Sequence, residues 1–230
     1  MIGKSGREVS RVEGFSDAVF GFALTLLVVS LEVPESFQDL ETILVGFAPF
    51  ALMFALICWI WYEHYAFFRK FEADDPLTIT LNCVLLFIVL FFVYPLKFVF
   101  TNMVKVMTGS PFAFRDMSLT DNRVLLSVYS VGFVGMMLVF VLLYWNVLRK
   151  RVALQLTEEE IFDARAGART HAISMSVGIL SIVMAWVLPF PYFVAAGPVY
   201  ALQGPLHWRN GVLIARARAR AFPSSTPERR

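Results

Sequence analysis

The chain has 230 residues, of which 58% are hydrophobic and 15% aromatic, with 23 Phe and a formal net charge of only +2. A mean hydropathy of +0.66 is more than one soluble core of this size can hide, so a bilayer is the expected solvent. Cys58 and Cys83 both lie inside apolar runs and read as small buried hydrophobes, which sets aside a disulfide framework or a thiolate metal site.

A membrane span needs about 20 predominantly apolar residues. The first candidate, Phe15 to Val33, is closed by Pro34 and lacks a small-residue cleavage site, so it reads as a retained span and not a signal peptide. A second covers roughly Ile43 to Phe68. Asp74-Asp75-Pro76 is a helix cap for the third, Leu77 to Phe100. The polar connection Thr101 to Arg123 leads to a fourth span, Val124 to Leu148. In the basic-acidic segment Arg149 to Thr170, Glu158-Glu159-Glu160 after Thr157 reads as a helix start and not a metal site. The fifth span is His171 to Leu188. Pro189-Phe190-Pro191 then turns the chain into a short sixth span, about Tyr192 to Trp208, interrupted by Gly197, Pro198, Gly204 and Pro205. Prolines are tolerated in membrane helices when neighbours satisfy the freed carbonyls. The six-span unit is not repeated, so a pore would need several copies of the chain.

With the N-terminus inside, all of the 20 basic residues except Lys97, Lys105, Arg115 and Arg123 fall in cytoplasmic segments. The opposite side carries Glu32, Glu35, Asp39 and Glu41 in its first loop. This asymmetry is the positive-inside rule, and it points to an even number of spans with both termini cytoplasmic. The tail ends in Arg216-Ala217-Arg218-Ala219-Arg220, whose alternation spreads guanidinium groups over a helix surface. A juxtamembrane segment touching anionic lipid is the expected role, ahead of nucleic-acid binding.

The segment Arg11-Val12-Glu13-Gly14-Phe15-Ser16-Asp17 places a guanidinium and a carboxylate at the mouth of the first span. Ionisable groups there are costly and mark a candidate site with a partner nearby. At 100° per residue, Phe22, Thr25 and Val29 fall within about 60° of one another, flanked by Leu26, while Asp17 lies about 140° from Phe22. Symmetric copies around that face would form a hydrophobic constriction with a ring of threonine hydroxyls, elements that gate by dewetting and replace ion hydration. Periodicity alone does not separate this from lipid-facing or packing residues, with Thr25 bonded to its own backbone. Trp61 and His64, three residues apart, share a helix face, and Asn82 comes early in the third span at similar depth. A network of Arg11, Ser16, Asp17, Trp61, His64 and Asn82 would lock the first helix in register; an interfacial His64 and an aromatic-belt Trp61 are the plainer alternatives.

Enzyme chemistry has no visible site. His64, His171 and His207 are isolated, and Ser and Cys nucleophiles lack a base. Walker and dinucleotide glycine motifs are missing, as are the T-V-G-Y-G filter and the arginine ladder of a voltage sensor. A proton-coupled transporter using Asp17 and His64 is the alternative to a channel, although such carriers place their binding groups at the midplane.

The opening R-x-x-x-F-S-D, with Phe15-Ser16-Asp17-Ala18-Val19-Phe20-Gly21-Phe22-Ala23-Leu24-Thr25, resembles the first helix of the transmembrane protein 175 family of potassium channels. Trp61-x-x-His64 is similar to its second-helix motif, and Leu81-Asn82 with Tyr94-Pro95 to its third helix. The similarity is strong over residues 11 to 100 and architectural beyond. It implies an all-α membrane protein of six transmembrane helices per chain, with a pore formed by helix 1 at a symmetric oligomer axis. Bacterial relatives assemble as homotetramers. The function implied is a passive, potassium-selective cation channel in the plasma membrane, not an enzyme, with no cofactor, no resident metal and no nucleic-acid partner. Residues 1–210 would be the channel domain and 211–230 a basic cytoplasmic tail. Pore and gate positions carried over are Phe22, Thr25, Leu26 and Val29, with potassium passing near Thr25. Phe22 departs from the family's usual Ile or Leu. Arg11, Phe15, Ser16, Asp17, Trp61, His64 and Asn82 are carried over as the structural network.

Overall fold

The structure, a computed structural model, describes residues 10–29, 36–37, 47–71, 73–107 and 117–223, the last five positions before 108 as backbone only. Pro34, the acidic loop residues Glu32, Glu35, Asp39 and Glu41, and Lys4, Arg7, Arg115, Arg229 and Arg230 lie outside the described residues. The described elements are helical: α1 Arg11–Val29, α2 Phe47–Lys70, α3 Pro76–Met107, α4 Leu119–Arg149, α5 Glu158–Val187 and α6 Gln203–Ala221, with two 3₁₀ segments, Tyr192–Ala196 and Pro198–Leu202. Five of these helices, α1 to α5, are long and apolar enough to cross a membrane. The chain forms two compact units, Met1–Asn122 and Arg123–Arg230.

In the first unit α1, α2 and α3 pack on one another. Their shared core is apolar and interlocked: Phe20, Ala23 and Leu27 from α1, Met53, Ile57, Ile60, Phe67 and Phe68 from α2, and Leu85, Leu86, Val89 and Val93 from α3. Ser10 and Glu13 cap α1 reciprocally: the Ser10 amide donates to Glu13 Oε2 at 2.9 Å and the Glu13 amide to Ser10 Oγ at 3.2 Å. Asp75 caps α3, its Oδ1 accepting from the Leu77 amide at 3.1 Å. Phe87, Phe91, Tyr94 and Phe98 recur at helical spacing on the exposed side of α3, a pattern suited to lipid.

The second unit departs from the expected spans at two places. The helix start expected after Thr157 is present, since Thr157 and Glu160 close a capping box. That helix runs on without a break into the fifth span, so α5 begins at Glu158, ahead of its apolar run, and Arg149 to Thr170 does not separate two helices throughout. The sixth span is not one helix. Residues 192–202 wind as the two 3₁₀ segments, where Pro191 and Pro198 remove backbone donors, and α6 begins only at Gln203. Neighbouring groups satisfy this irregular backbone. Ser181 Oγ donates to the Ala196 carbonyl at 2.8 Å and lies 2.9 Å from Ser130 Oγ. The Arg123 guanidinium donates to the carbonyls of Ala185 at 2.9 Å, Trp186 at 3.1 Å and Leu188 at 2.9 Å, holding the last turn of α5. Such satisfaction is what an apolar solvent demands.

α6 runs antiparallel to α5 and is stitched to it by polar pairs. Ser174 Oγ lies 2.8 Å from His207 Nε2, Asn210 Nδ2 donates to Thr170 Oγ1 at 3.0 Å, and Arg218 Nη1 meets Asp163 Oδ1 at 2.8 Å. Residues 192–221 thus retrace α5 from its end towards its start, and α6 continues unbroken through position 210.

Candidate functional site

α1 has two unlike faces. Glu13, Ser16, Phe20, Ala23 and Leu27 are buried at spacings of three and four, the stripe that packs on α2 and α3. On the other side Phe15, Phe22, Thr25 and Val29 are exposed, Phe22 to 56% and Val29 to 73%. Gly14 and Gly21 lie near the same side, and a Cβ at either would meet open space. Leu26 is half-buried, at the edge between the faces. Thr25 Oγ1 donates its proton to the Gly21 carbonyl at 2.9 Å, the intrahelical bond open to a threonine in a span. With the proton committed inward, the oxygen lone pairs remain available to the open face.

The buried face carries a polar chain across three helices. Ser16 Oγ donates to the Val12 carbonyl at 2.8 Å, Asn82 Nδ2 donates to Ser16 Oγ at 2.9 Å, and His64 Nε2 lies 2.8 Å from Asn82 Oδ1. All three side chains are at most 1% exposed. The His64 ring is held between Phe20, 5.6 Å away, and Phe68, 4.5 Å away. Beside this chain Trp61 Nε1 donates to Asp17 Oδ1 at 2.8 Å, so the carboxylate at the mouth of α1 has a specific partner. Each residue is placed by its helix: Ser16 and Asp17 one turn into α1, Trp61 and His64 near the end of α2, Asn82 in the second turn of α3.

Of the seven network positions, five are joined in this way. Arg11 is exposed at the first position of α1, and the hydrogen bonds of the network do not reach it. Phe15 is 57% exposed and belongs with Phe22 on the open face. Glu13 was not singled out, although Ser10-Arg11-Val12-Glu13 is the S-x-x-E spacing of a capping box and was readable in the sequence.

Comparison with known proteins agrees with these three helices. The family described as endosomal/lysosomal potassium channel TMEM175 matches residues 11–93, the span that holds every residue of the network and of the open face. A potassium channel of Marivirga tractuosa is 36% identical over 211 residues, 87% of this chain and 85% of the relative. The chain belongs to the TMEM175 family. A Streptomyces collinus potassium channel is 28% identical over 85% of this chain and 90% of its own length. Among solved structures, a variant of the potassium channel MtTMEM175 in complex with a nanobody–MBP fusion superposes with a TM-score of 0.82 at 34% identity, over 92% of this chain and 96% of that one. A TMEM175 homologue from Chamaesiphon minutus, at 22% identity and a TM-score of 0.58 over 87% of this chain and 96% of that one, shares the fold. TMEM175 proteins are ion channels and not enzymes, and the chain is a multi-pass membrane protein.

Proposed function

We propose that this chain is the subunit of a passive, potassium-selective channel of the bacterial plasma membrane, assembled as a homotetramer with α1 lining the pore. The observation that carries the reading is the open face of α1. Phe22, Thr25 and Val29 stand exposed on the side opposite the face that packs on α2 and α3, in a family of potassium channels. Brought together around a symmetry axis, Phe22 would make the narrowest, dewetting ring. Thr25, one turn on, would offer hydroxyl oxygens to a potassium ion shedding water, with Leu26 and Val29 lining the wider part.

The network of Ser16, Asp17, Trp61, His64 and Asn82 serves this pore by fixing the rotation of α1, because a helix turned by one residue moves its open face by 100°. Arg11 and Phe15 flank it at the cytoplasmic mouth. The return of residues 192–221 beside α5 supports an even number of crossings, both ends cytoplasmic, with 1–210 as channel domain and 211–230 as basic tail.

Potassium flux into liposomes holding the purified chain, with sodium replacing potassium as control, tests the proposal. Gradient-driven flux that prefers potassium is expected. Uptake that appears only under an imposed pH gradient would replace the channel with a carrier centred on Asp17 and His64.

A further inference from the structure

The arginines of the α5–α6 hairpin divide into two groups with different chemistry. Arg218 turns towards α5, where it pairs with Asp163 at 2.8 Å and reaches Glu159 at 4.0 Å. Arg209, Arg216 and Arg220 do not follow it. At 100° per residue they fall with Leu213 within about 60° of one another, roughly 120° from the inward face of Gln203, His207, Asn210 and Ile214. All three are exposed, as are Arg165 and Arg169 on α5.

The bond between Asn210 and Thr170 sets a level along the hairpin. The apolar run of α5 begins one residue later, at His171, so this level is the edge of the hydrocarbon. Arg169 and Arg209 sit at it, one on each helix, beside Trp208, which is 76% exposed. With a rise of 1.5 Å per residue, Arg165, Arg216 and Arg220 lie about 8, 9 and 15 Å further out. The headgroup layer is about 5–7 Å deep on each side. The outermost end of the hairpin is acidic, with Glu158, Glu159 and Asp163. The carboxylates offset the outer arginines, so the net positive charge lies towards the apolar edge, and an exposed indole accompanies it there. A nucleic acid would meet outer arginines offset by carboxylates and would gain nothing from an indole at the membrane edge. An indole beside cations is the arrangement that suits a lipid interface.

We propose that Arg169, Arg209 and Trp208 bind the phosphates of anionic phospholipids at the cytoplasmic edge of the bilayer, with Arg165 and Arg216 adding weaker attraction and Arg220 the least. The cytoplasmic assignment rests on the orientation proposed above; the lipid preference does not.

The test is retention of phosphatidylglycerol against phosphatidylcholine by the full-length protein, exchanged from equimolar mixed micelles and read by native mass spectrometry. Wild type is expected to retain phosphatidylglycerol preferentially. Arg169→Gln with Arg209→Gln should lower that retention by about fivefold for each arginine removed, and Arg220→Gln should change it by less than either. Arg169→Lys with Arg209→Lys keeps the charge and should keep most of the preference, which separates phosphate binding from damage to the fold. Equal retention of the two lipids by wild type, or undiminished retention in the double Gln variant, overturns the proposal. So does RNA that copurifies with wild type and displaces phosphatidylglycerol. Maleimide labelling of Ala219→Cys from one side of a sealed vesicle reads the orientation separately, so its failure is distinguishable from loss of lipid binding.

Discussion

The two units of this chain use buried polar groups in opposite ways. In the first, a short chain of Ser16, Asn82 and His64 crosses a mainly apolar three-helix core. In the second, α6 is attached to α5 by polar pairs along its whole length, with Gln203, His207, Asn210 and Arg218 in place of an apolar stripe. The first arrangement specifies rotation: one internal polar contact has one good solution, and every other rotation of α1 strands a donor. In the second, the contacts of Ser174 with Gln203 and His207 lie on the apolar side of the level set by Asn210 and Thr170. There lipid tails offer no hydrophobic drive between helices, and hydrogen bonds distinguish a helix partner from lipid. The pair of Arg218 lies on the aqueous side of that level.

Asn82→Ala is the strongest way to break the contrast. Interhelical hydrogen bonds in membranes average only about 0.6 kcal/mol, so losing two of them is modest. The larger cost is His64 left buried between Phe20 and Phe68 without its partner, about 1–3 kcal/mol. A loss of roughly 2–4 kcal/mol is expected in total, read as a fall in the thermal midpoint of the detergent-solubilised protein. A variant as stable as wild type would show that the apolar core alone sets the rotation of α1.

Gly167→Ala probes the second unit at its tightest contact. A Cβ there would run into the Tyr144 ring, which is itself stacked on His171 at 5.7 Å. The ring cannot swing away as a flexible chain end would, so overpacking should cost about 1–3 kcal/mol. An unchanged midpoint would mean that α4 and α5 can separate without penalty.

On the open face of α1 the proposed pore predicts effects on conduction and not on stability. Phe22→Ala should raise potassium current with little change in stability, since the side chain is 56% exposed and lies off the face that packs on α2 and α3. Thr25→Ala should lower the potassium-to-sodium permeability ratio by up to about tenfold, the equivalent of about 1.4 kcal/mol, measured as a shift in reversal potential. An unmoved reversal potential would remove the hydroxyl ring from the selectivity argument.

How much of this was legible in the sequence follows the same division. Helices α1 to α3 have continuous apolar runs and motif residues at fixed spacings, so the grouping of Ser16, Asp17, Trp61, His64 and Asn82 could be anticipated from depth and face, but not which of them bond to one another. The outward turn of Phe15 was readable, since at 100° per residue it lies about 20° from Phe22; treating F-S-D as one unit put it in the network although the motif straddles both faces of α1. The start of α5 was legible in Thr157 and the acidic run after it, but the continuity of that start with the fifth span was not, because a helix that leaves the membrane keeps its hydrogen bonds but not its hydropathy. The partners of His207 and Asn210 were not readable, since nothing in the local pattern says that two polar helices face each other.

The smallest effect sharpens the comparison most. Arg218 and Asp163 make a close ion pair at the outer end of the α5–α6 hairpin, yet the arginine side chain is 47% exposed, and exposed pairs are worth about 0–1 kcal/mol. Arg218→Gln should therefore lower the midpoint little, and less still at high salt. Ser174→Ala, further down the same hairpin, removes a contact to His207 from a residue that is 1% exposed, where no water replaces it. If α6 is held by a uniform polar seam, the two variants should cost the same. A greater loss for Ser174→Ala than for Arg218→Gln is the expected result, because one helix pair then passes from a solvent that competes for hydrogen bonds into one that does not.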